Sequence, residues 1–208
     1  MLKGQTIEPK EPCPFCGGEA HTARAGGGGM TDSEYLDVYG IKPCLEGLPR
    51  AEITDTLSQQ LELQVLARRN AWACWAAEVK LYPNDKRVDY IDFCPHISIS
   101  LCAPGAVERG VFRFFEVKSC IADLKSGNGT NWEGDENWLV CPIEMVEEMR
   151  QRQIHVRACR MAYGQRKNGS RGFVRLDKPM GWDYRKYGAA ELLYAMTRAG
   201  IRQGIADA

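Results

Sequence analysis

Much of what would announce a location or a partner is missing from this sequence. No apolar run approaches the roughly 20 residues needed to cross a bilayer. The opening "MLKGQTIEPKEPC" lacks the apolar core of a secretory leader, so a cytoplasmic protein without a membrane partner is expected. Net charge is absent as well: 27 Lys and Arg offset 27 Asp and Glu, which leaves only local clustering to point to a charged partner. Neither glycine-rich stretch, "GGGG" or "GNGTNWEGD", is followed by Gly-Lys-Ser/Thr, so no nucleotide-cradling loop is assigned. There is no long-period repeat. Of the three histidines, His96 and His155 lie in strand-like sequence and read as packed or surface residues rather than catalytic bases.

Cysteine, by contrast, is plentiful. Nine in a chain without a leader, an odd number, argue for reduced thiols rather than a disulfide framework. Cys74, Cys94, Cys102, Cys120, Cys141 and Cys159 sit in apolar or strand-like sequence and read as core. Cys13 and Cys16 of "CPFCGG" have the spacing of a zinc knuckle, but a structural zinc needs four ligands and the second knuckle is missing. Only His21 and Cys44 remain as partners, and a knuckle without metal stands beside the zinc reading. A thioredoxin-like role is disfavoured because no strand precedes the motif and no βαβ unit surrounds it.

The glycine tract ending near Met30 separates a small N-terminal unit, residues 1–30, from a main domain over 31–208. "MTDSEYLDVYG" reads as a short helix capped by Thr31 or Asp32. "IKPCLEGLPR" reads as a loop. A longer helix covers "AEITDTLSQQLELQVLARRN", with Ile53, Leu57, Leu61, Val65 and Leu66 at helical spacing and a cap at Thr54 or Asp55. The period then changes to two: "AWACWAAEVKLY" and "KRVDYIDFCP" form a hairpin, and the loop "CAPGAVERG" leads to a third strand, "GVFRFFEVKSC". A strand at "NWLVCP", a helix at "IEMVEEMRQRQ", a strand at "IHVRACRMAY" and an amphipathic helix at "GAAELLYAMTRAGIRQ" follow, with "GQRKNGSRG" a turn-rich connection. This order predicts an α/β fold, a central mixed sheet flanked by helices. From Arg150 to Lys186 eleven basic residues face only Asp177 and Asp183, which predicts a basic surface in the C-terminal third.

The third strand raises the main chemical question. Glu116 and Lys118 lie two apart, so a strand projects both to one face. Asp89 likewise interrupts an apolar run on the strand before. Taken alone, Glu-x-Lys is a surface ion pair worth under about 1 kcal/mol. Together, two carboxylates converging at strand ends suit a hard divalent cation such as Mg²⁺, which uses one or two protein carboxylates and completes its shell with water and phosphate oxygens.

The constellation "VDYIDFCP … FRFFEVKSCIADLKS" resembles the PD-(D/E)XK nuclease superfamily, most closely its MmcB-like and phage-encoded members, over about Thr54 to Gln203. A serine and an aspartate after the lysine, here Ser119 and Asp123 with Lys125, and the glycine-rich lead into a strand ending in proline, "SGNGTNWEGDENWLVCP", belong to the same resemblance. It implies a restriction-endonuclease-like core and hydrolysis of DNA phosphodiester bonds with Mg²⁺ or Mn²⁺. Asp89 and Glu116 would be ligands with the Val117 carbonyl, and Lys118 would orient the attacking water. A further acid, Glu62 or Glu78, would join them, Glu78 being favoured because its strand hairpins with that of Asp89. Val88 stands where the superfamily's proline would be. The resemblance further implies a phage or mobile-element origin, double-stranded or branched DNA as partner, and a homodimer as in many relatives. Lys125, Arg157, Arg160, Arg166, Lys167 and Arg171 would track DNA phosphates. Trp132, Trp138 and Trp182 are candidates for base stacking, though such residues more often pack in cores. "PCPFCGGEA" is similar to the opening of Lar-type restriction-alleviation zinc ribbons. The alternative from another class is a catalytically silent protein on the same fold, a nucleic-acid-binding or anti-defence interaction module.

Overall fold

The computed structural model describes residues 30–68, 73–82, 86–96, 104–127, 129–179 and 185–203. Helix α1 (Asp32–Tyr39) begins on a reciprocal cap. Thr31 Oγ1 accepts from the Glu34 N–H at 3.3 Å and Glu34 Oε2 accepts from the Thr31 N–H at 2.6 Å, so Thr31 is the cap of the two candidates. Helix α2 (Arg50–Leu61) starts earlier than its hydroxyl and carboxylate candidates suggested, directly after Pro49, whose ring presets φ. The α pattern stops at Leu61. Glu62–Leu66 form one π turn, in which the Ala67 N–H donates to the Glu62 carbonyl at 2.8 Å.

Three strands follow as an antiparallel meander: β1 (Cys74–Leu81), β2 (Lys86–Cys94) and β3 (Val111–Val117). Strand β4 (Glu136–Pro142) runs parallel to β3, and β5 (Cys159–Gln165) parallel to β4. Each parallel pair needs a crossover, supplied by α4 (Ile121–Lys125) and α5 (Ile143–Gln151). Strand β6 (Arg171–Arg175) returns antiparallel to β5, and after α6 (Ala189–Ala199) a two-residue β7 (Arg202–Gln203) pairs with β1. The order is β6-β5-β4-β3-β2-β1-β7, a mixed sheet with helices on both faces, as the element order predicted. Strand β6 and the one-turn helices α3 (Pro104–Glu108) and α4 were not anticipated, since five residues hold too little periodicity to read.

On one face, Leu57, Leu61 and Leu66 of α2 and its π turn bury Trp75, Tyr90, Phe115, Val117, Trp138, Val140 and Met161. The opposite face carries two clusters. Helix α6 covers Ala76, Val79, Val88, Ile91, Phe112 and Phe114, while α1, α4 and α5 cover Leu139, Cys141 and Ala162. Glu116 lies between Phe115 and Val117, both facing α2, so its side chain enters the opposite face at the seam of those two clusters.

Beside that seam the strand alternation slips. Ala76, Val79 and Leu81 all face α6 although 76 and 79 differ in parity, and so do Val88 and Ile91 on the partner strand. The slips fall at Glu78, which adopts φ 55°, and at Asp89. The two residues stand opposite each other between the pairs Ala77–Tyr90 and Val79–Val88, so the register survives while both side chains leave the regular pleat.

The reading of six core cysteines needs correction. Among the described residues only Cys141 of these is fully buried, and burial pushes its thiol up to about 12. Cys74, Cys94, Cys120 and Cys159 are half-buried at sheet and helix margins, and Cys102 lies outside the described residues. No helix among the described residues is long and apolar enough to cross a membrane.

Candidate metal centre

Strands β2 and β3 stay paired as far as Tyr90–Phe115 and then separate. In the gap Asp89 Oδ2 accepts from the Val117 N–H at 2.8 Å, taking the place of a strand carbonyl. This contact orients Asp89 toward its neighbour across the ladder, Glu116. Glu116 is completely buried, and neither of its oxygens has a partner of regular hydrogen-bond geometry. Burial raises its carboxyl pKa far above the usual range, and the neighbouring Asp89 carboxylate raises it further. Lys118, also buried, and the Asn131 N–H act in the opposite direction.

The glycine-rich segment before β4 closes over this group. Gly129 has φ 68°, and a Cβ on it would stand 2.6 Å from Glu116 Oε2 and 3.0 Å from Lys118 Nζ. One methyl group would thus strike both side chains, which places acid and lysine against the same small space. The segment is tied down on the β2 side. Asn131 Nδ2 donates to the Arg87 carbonyl at 2.9 Å, and Glu133 accepts from Lys86 at 2.8 Å and Lys186 at 3.3 Å. Behind the lysine, Ser119 and Asp123 are held from α2: Arg50 Nε donates to Ser119 Oγ at 3.3 Å and Arg50 Nη2 meets Asp123 Oδ1 at 2.8 Å. Gly129, Asn131 and Arg50 escaped the sequence reading, although the glycine-rich segment itself was the signal for the first two.

Other predicted site residues lie elsewhere. Glu78 is not brought to Asp89 and Glu116, because its left-handed backbone turns the side chain out to an exposed 2.9 Å ion pair with Arg87. Glu62, on the π turn, accepts from Tyr90 Oη at 3.1 Å and from Arg202 Nη1 at 3.2 Å on the α2 side of the sheet. Lys125 is exposed at the end of α4, and Lys167 in the β5–β6 turn. Arg157 is exposed. Arg160 is a correction to the basic-surface reading: Asp177 grips its guanidinium at two points, 2.8 Å each. Trp138 is buried in the core and presents no face to a base, while Trp132 is half-buried at the core margin. Cys13, Cys16, His21 and Trp182 lie outside the described residues, and Cys44 is a half-buried free thiol against the α2-side core.

Among the described residues no three His, Cys, Asp or Glu side chains converge. The two carboxylates that come together there are Asp89 and Glu116. Hard oxygens in this number suit Mg²⁺ or Mn²⁺, which keep several water ligands. Ionisation of Glu116 would set two neighbouring carboxylates against one ammonium. A divalent cation held there would offset that charge. The chain matches no protein-family model, no curated protein and no solved structure.

Proposed function

We propose that this chain is a divalent-cation-dependent nuclease with a restriction-endonuclease-like core that hydrolyses DNA phosphodiester bonds. The observation carrying this reading is Glu116, a fully buried carboxyl group without a hydrogen bond of regular geometry, beside Asp89 and Lys118 at the ends of adjacent strands. The sheet supports it: α2 precedes a three-strand meander that carries Asp89 and Glu116 on adjacent strands of a mixed sheet flanked by helices.

When bound by Asp89, Glu116 and the Val117 carbonyl, Mg²⁺ or Mn²⁺ supplies Lewis-acid polarisation of the phosphoryl group and acidification of water. The residues of the chain set the geometry. The Val117 N–H fixes the rotamer of Asp89. Lys118 Nζ donates to the attacking water and adds positive potential where charge develops on the phosphoryl oxygens. The bare Cα of Gly129 lets the glycine-rich segment close directly on Glu116 and Lys118.

The test is titration of Mg²⁺ and Mn²⁺ against supercoiled, linear, branched and single-stranded DNA. The parent cleaves at least one of these, while Asp89→Ala, Glu116→Gln and Lys118→Ala each lose about 100-fold or more in rate. Variants that cleave as well as the parent sink the assignment. A parent that binds DNA or a defence protein and cleaves nothing establishes the silent-module alternative instead.

A further inference from the structure

On the α2 side of the sheet, away from Glu116, lies a groove of about 510 Å³ whose lining includes Arg68, Arg166, Arg171 and Arg175. None of these guanidiniums has a carboxylate within ion-pair distance among the described residues, and no acid lines the groove. Most other described arginines differ: Arg50, Arg87, Arg113, Arg150, Arg152, Arg160, Arg185 and Arg202 are ion-paired. In a chain with equal numbers of acids and bases, four converging cations without a counter-ion are a specific arrangement.

Two of the four are held in place. Arg166 lies over Gly172, where a Cβ would stand 2.6 Å from its Nη1, and Arg166 Nη2 donates to the Phe173 carbonyl at 3.0 Å. Arg175 stacks on Trp138, its guanidinium carbon 5.3 Å from the ring centre. Arg68 and Arg171 are exposed at the rim. Oriented planar forks in a concave site match phosphate oxygens, and the concavity takes a strand rather than a flat surface.

The pairs Val117–Val140, Val140–Met161 and Met161–Arg175 form one row across the sheet, which sets the groove three strands, about 14 Å, from the end of β3. We infer that this groove binds the phosphodiester backbone of a nucleic acid at a point remote from the bond that is cut. It contributes to holding the substrate and not to the chemical step. The identity of the ligand rests on the nuclease reading.

The experiment compares the parent with Arg68→Ala/Arg171→Ala, both at exposed positions. Affinity for a labelled duplex of about 20 base pairs is read by anisotropy without divalent cation, across about 50–300 mM KCl. The double variant binds about tenfold more weakly, and its slope of log affinity against log salt falls by about 1.8, two phosphate contacts' worth. In cleavage its KM rises about tenfold with kcat within twofold of the parent. Equal affinity and slope in parent and variant overturn the inference, as does a parent that binds no nucleic acid. Arginine-dependent sedimentation with phosphatidylserine vesicles in place of DNA binding assigns the groove to a membrane and also overturns it. Arginine-dependent DNA binding without cleavage by the parent keeps the groove and removes the nuclease reading. Cleavage unaffected by the double variant does the converse.

Discussion

At the scale of single residues, the folded protein holds a proton on Glu116 well above the pH at which an unfolded chain releases it. From the ordinary carboxyl range upward the native state therefore binds more protons than the unfolded one, and stability falls as pH rises. Glu116→Gln removes that dependence. Without divalent cation the variant melts above the parent, by about 5 °C at pH 8 for a relief of about 2 kcal/mol, and the gap shrinks toward pH 5. Added Mg²⁺ raises the parent and leaves the variant unmoved in thermal denaturation; a Gln variant that melts below the parent at pH 8 contradicts this. Gly129 gives a second prediction with a built-in control. Gly127 and Gly129 both have positive φ, so alanine costs each about 1 kcal/mol of stability. Only at Gly129 does the added methyl strike Glu116 and Lys118. Gly129→Ala loses at least about tenfold in cleavage, while Gly127→Ala keeps its rate. Equal losses in the two variants would assign the effect to the backbone alone. Asp89, Glu116 and Lys118 were legible in the sequence because charge interrupting a period-two apolar run is conspicuous. Gly129 and Asn131 were not, because a loop has no period to violate, and the Arg50–Ser119 contact joins residues far apart in the chain.

At the scale of elements, the hairpin of β1 and β2 decides which acids meet. A pleat without a slip would have sent Glu78 and Asp89 to regular faces, and Glu78 was favoured because its strand hairpins with that of Asp89. Its left-handed φ breaks the alternation, and no pattern of apolar residues foretells a backbone angle. Glu78→Gln therefore leaves cleavage within about twofold of the parent, since its carboxylate engages only exposed Arg87. A loss like that of Asp89→Ala would show that Glu78 reaches the centre. Glu78→Gly, which adopts the same angle without cost, raises stability by up to about 1 kcal/mol in chemical denaturation. Helix α2 was legible in its apolar spacing, and its burial has a measurable counterpart. Leu61 is fully buried against the sheet, so Leu61→Ala costs about 2–5 kcal/mol in the same denaturation assay.

At the scale of the whole molecule, the sheet was readable as a mixed α/β arrangement from the order of periods alone, whereas the electrostatic surface was not. Counting along the chain makes residues 150–186 strongly basic, but acids just before that stretch and others brought in by the fold offset it. Arg150 meets Glu147, Arg152 meets Glu148, Arg185 meets Asp135 and Lys186 meets Glu133. Of the bases left without an ion pair among the described residues, Arg166, Arg171 and Arg175 share one groove, and it is completed by Arg68 from before β1, which no count over that stretch includes.

The position of β6 carries one more consequence. It is an outer strand, only five residues long, with an arginine at each end, and at the other margin β7 is two residues long. The β6 margin, short and flanked by like charges, gives a second copy little backbone to add to and repels it on approach. That edge is thereby protected from edge-to-edge pairing, and the self-repulsion of β6 should weaken in high salt, where light scattering would record it.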